Sequence, residues 1–385
     1  MHISTSDKQD CSGCTACASI CPKGAIKMVP DVMGFLYPEF DESQCIDCGL
    51  CVKVCQFKKK YNRYDNFNEP LVYGVRHRDK YELDKSQSGA ASWAIIQTFL
   101  EEDGVVYGAA FDTPTIVCHQ RATTLDECQK FRTSKYVQSN LTGVFLLIKK
   151  DLLEGCRVLF FGTGCQVAGL KSFIPKKLHE NLFTVDLVCH ASPAPGVWKG
   201  YVEYLQKKYH SQVVKASFRN KSFGWHSHTE TINLAGQEKM LERTSFRKLF
   251  YDHVIIRPSC TQCPFTNFKR VSDLTVADFW GWEKYYWEWN DNKGVSLLLI
   301  NSERGKYFFA KLGDYINSVP STMDKCVQPQ LRGPVDADIN EIIDAEKVFG
   351  KGGYKDLALK YGDLNPWYWM KTTLGSLLRK IKLLK

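Results

Sequence analysis

The chain has 385 residues, 44% hydrophobic and 24% charged, a composition ordinary for a globular protein of two or three domains. It has no low-complexity tract, no solenoid-type repeat, no run near the ~18 apolar residues of a spanning helix and no signal-peptide core at its start, so a cytoplasmic protein is expected. The formal charge of +9 suggests an anionic partner, yet no nucleic-acid-binding motif accompanies it, and sixteen cysteines in a reducing compartment point instead to metal or redox chemistry.

Residues 1–60 carry the strongest signal. Cys11, Cys14, Cys17 and Cys21 follow the spacing x2, x2, x3, with Pro22 after them, and Cys45, Cys48, Cys51 and Cys55 repeat it. Three cysteines at two-residue intervals wrap three corners of one cubane, and the fourth points to the other cluster. One [4Fe–4S] cluster is therefore expected on Cys11, Cys14, Cys17 and Cys55, and a second on Cys45, Cys48, Cys51 and Cys21. Zinc sites use two pairs of ligands and have no use for the third cysteine of each run. Gly13, Gly24 and Gly49 suit backbone that turns sharply beside a cluster. Gln56 stands where the bacterial ferredoxin pattern has proline, a departure that touches the exit of the loop and not the ligands. The segment 61–70 reads as a linker.

From Leu71 onward short apolar strands alternate with helical stretches, in a first part spanning 71–150 and a second spanning 151–330. Strands are expected at Leu71–Val75, Val105–Phe111, Arg157–Phe161, Phe183–Cys189, Leu274–Ala277 and Ser296–Ile300, and a helix at Ala90–Leu100. The alternation predicts an α/β body with a short-stranded mixed sheet behind a small α+β ferredoxin-like head. Phe161-Gly162-Thr163-Gly164-Cys165 imitates a dinucleotide fingerprint, but the next glycine is Gly169 and the spacing is wrong. Cys165 and Cys189 each follow a strand, where α/β folds place ligands, and Cys260 and Cys263 form a CxxC before Pro264. Together the four suit a third cubane, although their spacing alone also admits zinc. Three cubanes of about −2 each would bring the formal charge to about +3. Cys118, Cys128, Cys156 and Cys326 have no partner pattern and read as structural. His226 and His228 read equally as proton donors, ligands or structural residues.

Seven ordered motifs resemble the coenzyme F420 hydrogenase/dehydrogenase beta-subunit family, in the version with an N-terminal two-cluster ferredoxin domain. They begin at Ser86-Gln87-Ser88-Gly89-Ala90, Thr133-Ser134-Lys135-Tyr136-Val137 and Phe161–Gln166. They continue with Leu187–His190, Arg257–Cys263, Ala277–Gly281 and Lys293–Ser296. The resemblance implies a body cluster held by Cys165, Cys189, Cys260 and Cys263. It also implies FAD, contacted by Ser86, Ser88, Gly89, Ala90, Ser134, Lys135 and Tyr136. Hydroxyls, open backbone and a cation in that set suit the flavin phosphates. Ala90 in place of a second glycine and Gly164 in place of proline remove no chemical group.

Clusters carry single electrons and a flavin stores two, so the flavin belongs between wire and substrate. The resemblance therefore implies an oxidoreductase that passes electrons from ferredoxin or a similar donor through the clusters to FAD and on to a small organic substrate, with a sugar-linked one suggested by relatives in surface-polysaccharide metabolism. Two other readings stay open: an electron-transfer subunit of a larger complex, and a deazaflavin (F420) or NAD(P)H oxidoreductase. The C-terminal extension 331–385 ends in a basic amphipathic stretch. There Met370, Leu374, Leu377, Leu378, Ile381 and Leu384 share a helical face beside lysines and arginines, a pattern suited to a peripheral contact with an anionic membrane or to docking on protein.

Overall fold

Residues 7–57, 61–235, 237–240 and 245–366 are described by the computed structural model of the protein. In the head, each cysteine run feeds a short helix, α1 (Ala16–Ile20) or α2 (Leu50–Val54). Each helix is entered through a left-handed residue, Thr15 or Gly49, and left through an extended cysteine, Cys21 or Cys55. Between them β1 (Ile26–Pro30) and β2 (Leu36–Phe40) pair antiparallel from Ile26↔Phe40 to Pro30↔Leu36.

The body opens with β3 (Leu71–His77), α3 (Lys80–Lys85) and α4 (Ala91–Leu100), then the hairpin β4 (Val105–Thr113) and β5 (Ile116–Ala122). After α5 (Leu125–Cys128) and α6 (Val144–Leu153) come β6 (Val158–Thr163), α7 (Gly164–Phe173), β7 (Leu182–Leu187) and α8 (Pro195–Tyr209). A small antiparallel sheet of β8 (Val213–Ser217), β9 (Thr231–Leu234) and β10 (Gln237–Met240) precedes α9 (Ser245–Tyr251). The chain then returns through β11 (Leu274–Asp278), β12 (Ser296–Ile300), α10 (Glu303–Lys311), β13 (Ile316–Ser321) and α11 (Ile339–Lys360).

The main sheet has eight strands in the order β13-β3-β12-β11-β7-β6-β4-β5. Strands β4, β6, β7 and β11 run parallel to one another, and β3 runs the same way across the antiparallel β12. The expected mixed α/β sheet is present. Every residue of β12 is buried, as a strand covered on both faces requires. The strands at Arg157–Phe161 and Phe183–Cys189 prove shifted, to Val158–Thr163 and Leu182–Leu187, so Cys189 lies two residues beyond its strand. The carboxyl ends of β3, β6, β7 and β11 lie along one edge of the sheet, where open α/β folds hold ligands.

The head shares a core with the body. Ala16 and Cys17 pack in one apolar cluster with Val144, Phe145, Val167 and Leu170 of α6 and α7. A β-carbon on Gly169 would stand 2.8 Å from the Cys14 sulfur, so only the bare backbone of α7 admits α1 at this distance. The Gly196 N–H at the start of α8 donates to the Met33 carbonyl at 2.8 Å. Lys8 pairs with Asp31 at 2.6 Å and also with Glu346 of α11. Among the described residues no helix is long and apolar enough to cross a membrane. The basic stretch Trp367–Lys385 lies outside the described residues.

A second core gathers α8, α9, α11 and the small sheet. Beside it Glu230 is 3% exposed, with Arg247 at 3.9 Å, beyond hydrogen-bond range. Burial raises its carboxyl to about 8. The folded protein therefore keeps a proton that the unfolded chain releases above about pH 4.5. This contribution to stability is complete below that pH and is lost as pH rises through about 8. Urea midpoints of wild type and Glu230→Gln are expected to be similar near pH 5 and to separate by pH 8, with the variant higher; parallel profiles would reject the assignment.

Candidate redox site

Two cavities open between the head helices. One is lined by Cys11, Cys14, Cys17 and Cys55 together with Gly13, Thr15 and Met28. The other is lined by Cys21, Cys45, Cys48 and Cys51 together with Pro22, Ile46 and Leu50. Each takes three sulfurs from one run and the fourth from the other. The Gly13 N–H points at the Cys11 sulfur at 3.4 Å, and the Asp47 N–H stands in the same relation to Cys45 at 3.3 Å. Burial pushes the Cys14 thiol up to about 12 and Cys17 higher still. Such thiols resist ionising alone, but metal binding replaces the proton and supplies the missing positive charge. The donor chemistry thus fits iron–sulfur clusters. Cys48 is exposed, so the second cavity faces solvent, whereas Cys14 in the first rests against α7.

The body cysteines converge on the same region. Cys165 opens α7 directly after β6, and Cys189 follows the neighbouring parallel strand β7. Cys260 and Cys263 lie in the turn that starts at Pro258. The Ser192 N–H donates to the Cys260 sulfur at 3.4 Å, and the Thr163 hydroxyl lies 3.2 Å from the Cys165 sulfur. Burial raises Cys189 well above its ordinary range, and the nearby Cys260, Cys165 and Cys263 raise it further. Cys165 is also a neighbour of Cys14, so the inner head cavity adjoins the body set. Among the described residues no three His, Cys, Asp or Glu side chains close tightly enough to hold a single metal ion.

The loop from Ser86 to Ala90 joins β3 to α4 at the carboxyl edge of the sheet. Ser86 and Ser88 are buried. Ser86 accepts from Arg132 at 2.6 Å, and the Ser88 hydroxyl donates to the Val295 carbonyl. The Gly89 N–H donates to the Ser296 hydroxyl at 2.9 Å. Ala90 is left-handed and caps α4 without a side-chain bond. Lys135 is half-buried and donates to the carbonyls of Lys130 and Arg132 at 2.9 and 2.7 Å; burial pushes its amine down to about 7. Ser134, half-buried, follows the left-handed Thr133. The Tyr136 hydroxyl is within hydrogen-bonding reach of Tyr251 and Arg219.

Several residues that sequence reasoning passed over complete this corner. Lys221 donates to the carbonyls of Leu83, Ser86 and Ser88, and burial lowers it to about 7. The Arg132 guanidinium lies 3.5 Å from the Trp93 ring centre and pairs with Glu82. Arg219 pairs with Asp278 at the end of β11, and the Trp225 indole donates to the same carboxylate at 2.9 Å. Trp280 stacks on Trp225 with ring centres 4.3 Å apart and on His228 at 5.3 Å. Lys135 and Lys221 donate to carbonyls rather than to carboxylates. The corner therefore fits an anionic group, as the diphosphate of a dinucleotide would be.

Residues 155–320 match the family described as the C terminus of the coenzyme F420 hydrogenase/dehydrogenase beta subunit, and residues 10–59 match the 4Fe–4S dicluster domain. The two matches fall, in order, on the cysteine-rich head and on the part of the body that carries Cys165, Cys189, Cys260 and Cys263. A chain of the F420-reducing [NiFe] hydrogenase complex from Methanosarcina barkeri is similar at 18% identity and a TM-score of 0.48, over 78% of this chain and 97% of that one. No curated protein matches.

Within residues 155–320, the CxxC turn is fixed to the strand ends by a buried ion pair. Arg270 and Asp186 meet at 2.7 Å with side chains 3% and 0% exposed. Arg270 also donates to the carbonyls of Phe265 at 2.6 Å and Leu187 at 3.2 Å, which ties the Cys263 turn to the end of β7. No sequence pattern announces this pair, because its members lie 84 residues apart. Removing one partner leaves the other charge buried and alone. Arg270→Met is therefore expected to cost about 3–5 kcal/mol of stability and to lower iron retained by the body, read by unfolding midpoint and iron assay together. A variant with wild-type midpoint and iron would show that the turn stands without the pair.

Proposed function

We propose that the chain conducts electrons through three [4Fe–4S] clusters to FAD, where an organic substrate is reduced. The outer cluster would use Cys21, Cys45, Cys48 and Cys51, the next Cys11, Cys14, Cys17 and Cys55, and the body cluster Cys165, Cys189, Cys260 and Cys263. The observation that carries the reading is their continuity: the solvent-facing set shares its two cysteine runs with the inner set, and the inner set touches α7, the helix that holds Cys165 in its first turn. When bound, the clusters supply single-electron transfer and the flavin joins it to two-electron chemistry. The protein's own part is to hold and insulate. Ser86, Ser88, Gly89, Ala90, Ser134, Lys135 and Tyr136, with Lys221 and Arg132, would form the flavin corner. Trp225, Trp280 and His228 would wall the space above Asp278.

The donor is proposed to be ferredoxin or a similar small carrier meeting the head near exposed Cys48. The family description favours a second reading, in which a deazaflavin is the two-electron partner at the flavin. Reduction of the purified holoprotein by ferredoxin, a deazaflavin and NAD(P)H in turn separates the two.

About twelve irons and twelve acid-labile sulfides per chain are expected after anaerobic preparation. A reproducible value near eight, with zinc making up the difference, would remove the body cluster. FAD is expected on denaturation, and protein that binds none when supplied with excess FAD would end the reductase reading. Lys135→Ala is expected to weaken FAD retention by about 1.5–3 kcal/mol, the worth of a charge-assisted hydrogen bond, and Lys221→Met to act in the same direction. Both amines sit near 7 in the free protein. An anion that raises them must draw in protons above that pH, so retention is expected to weaken from pH 7 to pH 9. Equilibrium dialysis at the two pH values measures this, and equal affinities would place the phosphates elsewhere.

A further inference from the structure

Arg257 is 1% exposed, and it spans the junction of head and body. Its backbone belongs to the body cysteines: the N–H donates to Ser192 at 2.8 Å, and its carbonyl accepts from the Cys260 N–H at 2.9 Å. Its guanidinium makes its hydrogen bonds to the head and to Gln138, while its charge also reaches Cys165 and Cys260. Nε donates to the Cys11 carbonyl at 2.6 Å, and Nη2 donates to the Leu36 carbonyl at 2.9 Å and approaches the Cys11 sulfur at 3.6 Å. Nη1 donates to Gln138 at 3.0 Å. The rings of Tyr37 and Phe35 stand 4.2 and 5.3 Å from its central carbon. None of these partners is a carboxylate. The fit is close: Gly13 is left-handed, and a β-carbon on it would stand 2.7 Å from Nη1.

A buried guanidinium without counter-charge is strongly unfavourable. A cubane on four thiolates is an anion, and it would supply that charge. Among the described residues the only cation lining the outer cavity is the exposed Lys23, which solvent screens. We propose that Arg257 is the counter-ion of the cluster on Cys11, Cys14, Cys17 and Cys55, and that its charge raises the reduction potential of that cluster, drawing electrons from the outer head towards the body. The proposal deepens the wire described above and rests on it. One electron arrives at this position and one leaves, and no bond forms or breaks. The reduced state carries one more negative charge, so a fixed cation beside Cys11 favours it.

The test is an EPR-monitored redox titration of the full-length holoprotein. In Arg257→Gln one head cluster is expected to titrate at a more negative potential while the other stays in place, and Arg257→Lys is expected to return towards wild type. Gly13→Ala, which keeps the charge but puts a β-carbon against Nη1 and so displaces the guanidinium from its seat beside Cys11, is expected to shift the same cluster in the same direction. If Arg257→Gln loses its cluster, Gly13→Ala decides. Unmoved potentials in the variants that retain their iron would overturn the proposal. Iron content is scored separately: a count near eight with the shift intact removes the body cluster and leaves the counter-ion standing.

Discussion

The arrangement depends on a close approach between two short helices, where the Cys14 sulfur of the head lies against Gly169 of the body. A side chain at that position would lift α1 off α7 and open a gap between the inner head cavity and the helix whose first turn holds Cys165. The rest of the junction holds this contact closed. The apolar cluster of Ala16, Cys17, Val167 and Leu170 excludes water around it, the Met33 carbonyl accepts from the start of α8, and Lys8 reaches α11. A head that merely hung on a linker would meet the body in many orientations. This one has a single seat.

Electrostatics divide the buried cations into two kinds. Arg270 and Arg219 are matched by Asp186 and Asp278, and they shape the strand ends. Arg257, Lys135 and Lys221 are met by carbonyls, amides and aromatic faces. Charges of the second kind are costly unless something anionic completes them. They lie where anionic groups are proposed: Arg257 at the inner cysteines, and the two lysines at the Ser86–Ala90 loop. The formal excess of +9 is in part a property of these sites, and it need not signal a polyanionic partner.

The head was legible because its chemistry is local. Three sulfurs at two-residue spacing and a fourth beyond a turn leave little freedom, and the run occurs twice. The strand at Ser296–Ile300 was equally plain, since a fully buried strand is apolar at every position. The edge strands β5 and β13 were not visible: each carries polar residues at many positions and pairs along only one side. The flavin corner was half visible. Its first loop stands out by serines and glycine, but Lys221 joins that loop from more than 130 residues away, and one lysine in a chain of this charge carries no signal. Gly169 was misleading as sequence. It looked like the last glycine of a damaged nucleotide fingerprint, and its role in the fold is to make room for a cysteine.

The sheet order explains how two unlike centres share one edge. Cys165 and Cys189 stand at the ends of β6 and β7, and the corner proposed for a flavin at the end of β3, with β11 and β12 between. Neighbouring strands are about 4.8 Å apart, so β7 and β3 are separated by about 14 Å across the sheet. The interval is filled by side chains rather than by an open channel. From Cys189 the next residue, His190, packs its ring 5.4 Å from Tyr251, and Tyr251 reaches the Tyr136 hydroxyl, which also faces Arg219. Arg219 is held by Asp278 at the tip of β11, beneath the Trp225–Trp280 stack. The body cysteines are half-buried, and this line of rings runs from them past the exposed Tyr251 to the corner where Lys135 and Lys221 are met by carbonyls; that continuity is what supports the proposal that the electron's destination lies within this chain.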